Sequence, residues 1–280
     1  MFNFLRKKIG IIGFGNMGQA IAERISLKYR VWVFEKDASK TKGLTGITVV
    51  SDILQLIKQS QAIILAIKPQ DFEPVMAEIK NNLQERIVIS IAAGITTEYI
   101  QKVLGQVRVV RVMPNLAVKV GQSTTSICKG AFATGRDLKF VARLFKYLGK
   151  VFIFPEERMD AATAISGSGP AYIFYDLEIN KLNPLKIPKE FMNEYIKKLK
   201  NAAIELGFKP KIALSLSIDT AASSVGLLVR TGNSPAQLRK MITSPGGTTE
   251  AALKVIANKG SWSEAALAAK MRAQELSKKE

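Results

Sequence analysis

The sequence KIGIIGFGNMG occupies residues 8–18 and joins an apolar run to three closely spaced glycines. The run Lys8–Ile12 predicts a buried strand, and the spacing of apolar residues after it predicts a helix. In a G-x-G-x-x-G loop between a strand and a helix, the glycines permit a tight turn, the approach of a pyrophosphate and close helix–strand packing, while the helix terminus attracts phosphates. We therefore predict a dinucleotide-binding loop made by Gly13, Phe14, Gly15, Asn16, Met17 and Gly18.

Residues that follow the next strands complete the predicted dinucleotide site. Glu35 ends the second strand, where a carboxylate can accept hydrogen bonds from the adenosine ribose and favour NAD. The adjacent Lys36 is suited instead to the 2′-phosphate of NADP, so both NADPH and NADH stay open as cofactors. Ligands of open α/β sheets bind beyond the carboxyl ends of the strands. We expect the residues after two later strands to border the nicotinamide half: Ala66, Lys68, Pro69, Ala92, Ala93 and Gly94.

The first half of the chain alternates short apolar runs with helical patterns, which is typical of βαβ units and a parallel sheet. The predicted strands are Lys8–Ile12, Arg30–Phe34, Ala62–Ile67, Arg86–Ile91, Val107–Val112, Thr124–Cys128 and Lys150–Phe154. The predicted helices between them are Asn16–Leu27, Ile53–Gln59, Pro74–Leu83, Thr97–Leu104 and Gly135–Tyr147.

After Pro155 the pattern becomes Ala-rich and helical. The predicted helices there are Arg158–Ile165, Ile196–Leu206, Ile212–Val229 and Ser263–Leu276, with a loop or helix break at Asn180–Glu190. The whole pattern predicts an α/β Rossmann-like N-terminal domain, residues 1–155, followed by an all-α C-terminal domain, residues 156–280.

Composition narrows the possible chemistry. The chain contains no histidine and one cysteine, Cys128, so a zinc site, a Cys–His nucleophile and an internal disulfide are excluded, and we expect a reducing, cytoplasmic location. No stretch reaches the roughly 18 apolar residues of a membrane span. The net charge of +18 is spread along the chain, which favours a diffuse field for anionic ligands over a nucleic-acid-binding stripe. We therefore expect no metal, membrane or nucleic-acid partner.

Three further segments indicate substrate binding. They are Arg-Val-Met-Pro-Asn at 111–115, Ser-Gly-Ser-Gly-Pro-Ala-Tyr at 166–172 and Thr-Ser-Pro-Gly-Gly-Thr-Thr at 243–249. The last precedes an Ala-rich helix and can present backbone N–H groups and two hydroxyls to a carboxylate. The middle segment suits a tight turn or a close helix contact equally well.

With the Gly-rich loop and Lys68-Pro69-Gln70, these segments resemble the pyrroline-5-carboxylate reductase family, in the same order and over nearly the whole chain. The resemblance implies hydride transfer from NADPH or NADH to the C=N bond of a cyclic imino acid, giving proline. It also implies a homodimer or higher homo-oligomer formed through the C-terminal helical domain. Thr249 is the implied catalytic residue, hydrogen-bonding the ring nitrogen. The implied substrate-binding residues are Ser244, Gly246, Gly247, Thr248, Thr249, Asn115 and Ser168.

The chain also departs from the family's pattern. About a dozen additional residues lie around 175–195, and Ile53, Asp219 and Lys240 stand where members commonly have Asn, Gln and an acidic residue. Two alternatives follow. A β-hydroxyacid dehydrogenase would use the K-x-x-x-N sequence Lys197–Asn201, and a diverged dinucleotide-binding protein would bind the cofactor without turnover.

Overall fold

The computed structural model describes residues 6–68, 71–183 and 186–278. The chain forms two compact units, Met1–Val112 with Ile127–Leu148 and Met113–Ser126 with Gly149–Glu280. The division therefore differs from the single boundary after residue 155 that the sequence pattern suggests. Its physical reason is packing, because Leu116, Val120 and Phe152 belong to the apolar core of the C-terminal helices.

The strands are β1 Lys8–Ile12, β2 Arg30–Phe34, β3 Thr48–Val49, β4 Ala62–Leu65, β5 Ile87–Ser90, β6 Arg108–Met113, β7 Ser123–Lys129 and β8 Gly149–Ile153. Over the described ranges they form one sheet in the order β3-β2-β1-β4-β5-β6-β7-β8, and the pairs from β3 to β6 are parallel. The chain order runs outward from β1 to β2 on one side and from β1 to β4 on the other. The carboxyl ends of β1 and β4 therefore flank the switch point at which such sheets bind ligands.

The helices of the first unit are α1 Asn16–Ile25, α2 Ile53–Gln59, α3 Phe72–Ile79, α4 Thr97–Leu104 and α5 Gly135–Lys146. Side-chain caps fix several of their starts. Asp52 accepts a hydrogen bond from the Gln55 N–H, and Thr134 with Asp137 forms a reciprocal capping box. The apolar residues of β4 and β5 are buried between such helices, which explains why these strands are nearly continuous apolar runs.

The helices of the second unit are α6 Met159–Ala162, α7 Gly169–Ile179, α8 Lys189–Glu205, α9 Pro210–Thr231, α10 Pro235–Ile242, α11 Thr248–Ala257 and α12 Trp262–Lys278. Their core contains an aromatic group in which Trp262 stacks on Tyr195 and meets Tyr172 edge-on. By length and composition α9 could cross a membrane, since an 18-residue window of it has a mean hydropathy of 1.7, but half of that window is buried inside the protein. A soluble core helix has the same properties.

The predicted α/β-then-helical order is confirmed, and four elements have the predicted bounds: β1, β2, α2 and α4. Other predicted elements differ at their ends by a few residues. Three corrections are larger: β3 and α10 are additional, α7 replaces a possible tight turn, and α8 begins at Lys189 rather than Ile196. The predicted break at Asn180–Glu190 is confirmed between α7 and α8, although Pro184 and Leu185 lie outside the described residues.

Candidate functional site

Each of the three glycines in the loop after β1 has a different structural role. Gly13 has φ +95°, and a Cβ there would lie 2.6 Å from the Ala66 carbonyl oxygen. A Cβ on Gly18 would overlap the Gly13 carbonyl, so the loop and α1 pack too closely for a side chain. A Cβ on Gly15 would meet no atom within 4 Å. Gly13 and Gly18 therefore hold the loop itself, while the backbone at Gly15 is open to a ligand.

Beside this loop lies a cavity of about 300 Å³ within the first unit. The structure brings together six of the predicted cofactor residues in its lining: Gly13, Gly15, Glu35, Lys36, Ala66 and Lys68. Lys40 and Asp71, which sequence reasoning did not select, line it too, with apolar residues from β1, β2 and α3. Its position beyond the ends of β1, β2 and β4 is that expected of a dinucleotide groove.

The remaining predicted cofactor residues lie around this cavity in other ways. Asn16, Met17 and Gly18 form the first turn of α1, and the side chain of Phe14 is buried. Ala92, Ala93 and Gly94 follow β5 and are outside the lining of this cavity. Pro69 lies outside the described residues.

Glu35 ties the end of β2 to the Gly-rich loop. Its Oε2 accepts a hydrogen bond from the Phe14 N–H at 2.6 Å, and its Oε1 accepts one from the Asp37 N–H at 3.1 Å. Partial burial alone would raise the pKa of Glu35, but these hydrogen bonds and the nearby Lys40 outweigh it and lower the pKa. The carboxylate is therefore charged at neutral pH, and the tie is lost only as the pH falls through this lowered pKa.

The residues of the first unit fit a dinucleotide. The N-cap of α1 is Gly15, which has no side chain to occupy the helix terminus, so its first N–H groups remain for a phosphate. Glu35 supplies an acceptor for a ribose hydroxyl. Open backbone, a helix terminus and a carboxylate are thus grouped in one groove.

A second polar group lies in the second unit, at the start of α11. The hydroxyl of Thr249 donates to the Ser168 Oγ at 3.2 Å, and the Ser168 Oγ lies 3.1 Å from the Thr248 Oγ1. All three side chains are buried. The N-cap of α11 is Gly247, so side-chain capping does not occupy this helix terminus. Predicted substrate residues from two segments that are distant in sequence therefore form one cluster of hydroxyl groups.

The loop before α11 is held by groups that sequence reasoning did not identify. Gly246 donates its N–H to the Glu250 Oε2 at 2.9 Å, and Arg272 donates to the Gly246 carbonyl at 2.6 Å. The Gly247 N–H donates to the Ser244 carbonyl, which closes the turn. Glu250 stands at the third position of the helix, where a carboxylate commonly turns back onto preceding backbone. The position of Glu250, three residues after the N-cap Gly247, is therefore the sequence pattern that could have identified it.

A π turn at Thr163–Gly167 carries Ser166 and leads directly to Ser168. The Ser168 N–H donates to the Thr163 carbonyl five residues back, at 2.9 Å. The Ser166 carbonyl has no helical donor, because residue 170 is a proline without an N–H. Carbonyls freed in such turns accept other donors, and π turns are frequent at functional sites.

Asn115 supplies the donor that Ser166 lacks. Its Nδ2 donates to the Ser166 carbonyl at 3.1 Å and to the Ser223 Oγ at 3.2 Å, while its Oδ1 accepts from the N–H groups of Ala117 and Thr124. Both amide hydrogens and both acceptor positions are thus used within the protein. These hydrogen bonds suit Asn115 to positioning the π turn, and its direct contact with substrate stays a prediction.

The structure also shows the surroundings of the residues on which the two alternative functions were based. Lys197 and Asn201 are exposed on α8. Ile53 is buried in the core of the first unit, and Asp219 pairs with Lys150 at 3.4 Å. Within residues 6–68, 71–183 and 186–278, no group of three or more Asp, Glu or Cys side chains is placed to hold a metal ion.

Comparisons with known proteins cover both units. Residues 8–94 match the family described as "NADP oxidoreductase coenzyme F420-dependent", and residues 190–276 match "Pyrroline-5-carboxylate reductase dimerisation". A pyrroline-5-carboxylate reductase of Methanosarcina acetivorans is 33% identical, over 98% of this chain and 99% of that protein. The enzyme of Arabidopsis thaliana is 32% identical, over 96% of this chain and 95% of that protein.

Solved structures agree with these sequence matches. A pyrroline-5-carboxylate reductase of Coxiella burnetii has a TM-score of 0.63 and 31% identity, over 96% of this chain and 98% of that one. A Plasmodium falciparum pyrroline carboxylate reductase with NADP bound also has a TM-score of 0.63, at 26% identity, over 97% of this chain and 98% of that one. Given this identity along nearly its full length, the chain belongs to the pyrroline-5-carboxylate reductase family.

Proposed function

We propose that the protein reduces the C=N bond of 1-pyrroline-5-carboxylate to give L-proline. The observation that carries this assignment is the Ser-Pro-Gly-Gly-Thr-Thr loop, whose Thr249 is buried against Ser168 at a helix N-terminus in a member of this family. A bound reduced nicotinamide supplies the hydride for the imine carbon. The protein's own contribution is binding, orientation and electrostatics.

The second unit binds the imino acid. The N-terminus of α11 and the loop amides attract the substrate carboxylate, and the Thr249 hydroxyl hydrogen-bonds the ring nitrogen. Ser168 orients the hydroxyl group of Thr249, since the Ser168 Oγ accepts a hydrogen bond from it. A protonated imine is already electrophilic, so a threonine that orients the ring is sufficient without histidine.

Glu250 competes with the substrate carboxylate for the Gly246 N–H, because its own carboxylate accepts from that group at 2.9 Å. We expect Glu250→Ala to lower KM for pyrroline-5-carboxylate several-fold and to lower stability by about 0.5–1 kcal/mol through loss of a first-turn acid. Steady-state kinetics and thermal unfolding measure both effects. Glu264→Ala, a first-turn acid of α12, is the matched control and should leave KM unchanged. A raised KM in Glu250→Ala would show that Glu250 supports the substrate-binding loop instead.

The groove of the first unit favours NADH over NADPH. The charged Glu35 follows β2, where the adenosine ribose is expected to bind, and its carboxylate would repel a 2′-phosphate on that ribose. Two of the three lysines that line the groove are already paired, Lys36 with Asp71 at 3.4 Å and Lys40 with Glu35 at 3.4 Å. The third lysine, Lys68, follows β4 and is expected beside the nicotinamide half rather than beside a 2′-phosphate.

Initial rates with pyrroline-5-carboxylate should give a kcat/KM about tenfold higher with NADH than with NADPH, and Glu35→Gln should bring the two values together. Glu98→Gln removes one exposed carboxylate from α4 and should leave the ratio unchanged. A preference for NADPH that Glu35→Gln does not alter would contradict the role of Glu35. Turnover of 3-hydroxy-acid semialdehydes in place of the imine would contradict the proposed reaction itself.

The apolar face of α9 fits a homo-oligomer interface. Leu214, Ile218 and Val229 lie on one side of the helix and are 40%, 43% and 50% exposed. Leu267 and Met271 form a similar exposed pair one turn apart on α12. Both helices lie within or next to the matched dimerisation region at 190–276. A second copy of the chain accounts for this exposed apolar surface better than a lipid phase, because the opposite face of α9 is packed in the protein core.

Ile218→Glu is expected to convert the oligomer to monomer, since it would place a charge in an apolar interface. Sedimentation velocity at micromolar concentration measures the change. Phe132→Glu replaces an equally exposed apolar residue of the first unit and should keep the wild-type mass. An unchanged oligomer in Ile218→Glu would exclude this face of α9.

We also infer a cytoplasmic location. Cys128 is buried and is the single cysteine of the sequence, so the fold depends on no internal disulfide.

A further inference from the structure

A second cavity in the first unit is unrelated to the proposed reaction. Its volume is about 560 Å³. It is lined by residues that precede β1, follow α1 and belong to α5 or its end: Arg6, Lys7, Lys28, Tyr29, Arg136, Lys139, Phe140, Arg143 and Tyr147. This size is within the range of small-ligand sites in proteins.

The lining of this cavity, named here the basic cavity, is strongly cationic. Six of its residues are Lys or Arg and exposed, and no carboxylate lines it among the described residues. None of the six forms an ion pair in the described part of the chain. In contrast, other lysines of the surface pair with carboxylates, as Lys36 does with Asp71 and Lys198 with Glu194. Six unpaired cations around one concavity repel one another, and a polyanion would relieve that repulsion.

Aromatic rings form the apolar part of the basic cavity. Tyr29 and Tyr147 meet edge to face, with centroids 6.1 Å apart and an interplanar angle of 74°. The Lys7 ammonium lies 4.2 Å from the centre of the Phe140 ring. Tyr147 is 49% exposed, so its ring is available to a planar group. Cationic groups around an accessible aromatic ring suit a ligand with both a planar base and phosphates.

The basic cavity is distinct from the dinucleotide groove. Lys7 precedes the first residue of β1, whereas Gly13 follows its last residue. A five-residue strand spans about 17 Å at roughly 3.3 Å per residue. The two cavities share no lining residue. A ligand of the basic cavity would therefore leave the groove free.

We propose that the basic cavity binds a nucleoside polyphosphate, with its base against Tyr147 and its phosphates among the arginines of α5. Arg136 and Arg143 lie seven residues apart, two turns along one face of the helix. Their guanidinium groups bind phosphate oxygens through paired hydrogen bonds. This inference goes beyond the proposed function and does not depend on it.

The test is isothermal titration of the full-length protein with ATP, in the presence of saturating NADH so that the dinucleotide groove is filled. We expect saturable binding with one site per chain. The triple variant Arg136→Gln, Lys139→Gln, Arg143→Gln should weaken it more than about tenfold. The matched control Lys58→Gln, Lys80→Gln, Lys102→Gln removes three exposed cations, from α2, from the residue that ends α3 and from α4, and should retain binding within about twofold. Both variants lower the formal net charge from +18 to +15 (18 − 3).

Comparison of ligands tests the role of the base. Tyr147→Ala should weaken ATP binding about tenfold and tripolyphosphate binding much less. Equal losses in the two triple variants would overturn the proposal in favour of a diffuse field. Displacement of ATP by NADH would also overturn it, as would tighter binding of a 20-base-pair DNA duplex or of anionic lipid vesicles than of ATP.

Discussion

Gly15→Val is expected to abolish dinucleotide binding while the protein keeps its fold. Gly15 has φ −71° and ψ −175°, an extended conformation that valine adopts readily, and a Cβ there meets no protein atom within 4 Å. The added side chain would instead fill the space that a pyrophosphate needs against the backbone. We expect NADH affinity to fall by about a hundredfold or more, measured by fluorescence titration.

Two other glycines separate the effect on binding from the effect on folding. Gly135, at the start of α5, also has open space at its Cβ, so Gly135→Val should retain NADH binding. Gly18→Val should lower the melting temperature as well as binding, because its side chain would overlap the Gly13 carbonyl. If Gly15→Val bound NADH as the wild type does, the groove at the end of β1 would not be the cofactor site.

Thr249→Val is expected to lower kcat about a hundredfold, the lower range for loss of a group that hydrogen-bonds a reacting atom. Valine matches threonine in shape, so the buried start of α11 should keep its packing. Only the hydroxyl that donates to Ser168 is lost. Steady-state rates at saturating NADH, with pyrroline-5-carboxylate varied, separate kcat from KM.

Thr243→Val and Thr249→Ser complete this test. The Thr243 hydroxyl, at the end of α10, donates to the Arg239 carbonyl, so its removal should leave kcat unchanged. Thr249→Ser keeps a hydroxyl and should recover most of the rate. A normal kcat in Thr249→Val, or equal losses in both valine variants, would remove Thr249 from the reaction.

Local patterns predicted much of the fold. β1 and β2 have their predicted bounds because apolar runs are bounded by polar or glycine residues, and α2 and α4 because Asp52 and Thr96 cap them. β3 is an exposed two-residue strand and carries too little pattern to detect. The start of α7 was harder to predict, because Gly167, Gly169 and Pro170 are typical of turns. In the structure, Gly169 lies close to Leu199, in agreement with the predicted alternative of a close helix contact, and Pro170 occupies the first turn of α7.

The candidate site was predictable only where its residues are close in sequence. The conformation of the Gly-rich loop is determined by a short stretch of sequence, and so is that of the loop before α11. The Asn115 amide donates to Ser166 and Ser223, which lie 51 and 108 residues away in sequence. The sequence therefore could not show that these hydrogen bonds form. The basic cavity could not be predicted for the same reason. Arg6 and Lys7 are far from α5 in sequence, and they line one cavity with residues of α5 only in the folded protein.

The π turn before α7 also determines how the side chains of α7 are rotated about the helix axis relative to those of α6. Each helical residue advances about 100° around the axis, so one surplus residue offsets every later side chain by about that angle. The side chains of α7 are thus rotated relative to the positions that an unbroken α-helix continuing from α6 would give them. Removal of a single residue between Thr163 and Gly167 would therefore be no local change: it would swing Ser168 away from Thr249 and turn Gly169 from its fit against Leu199.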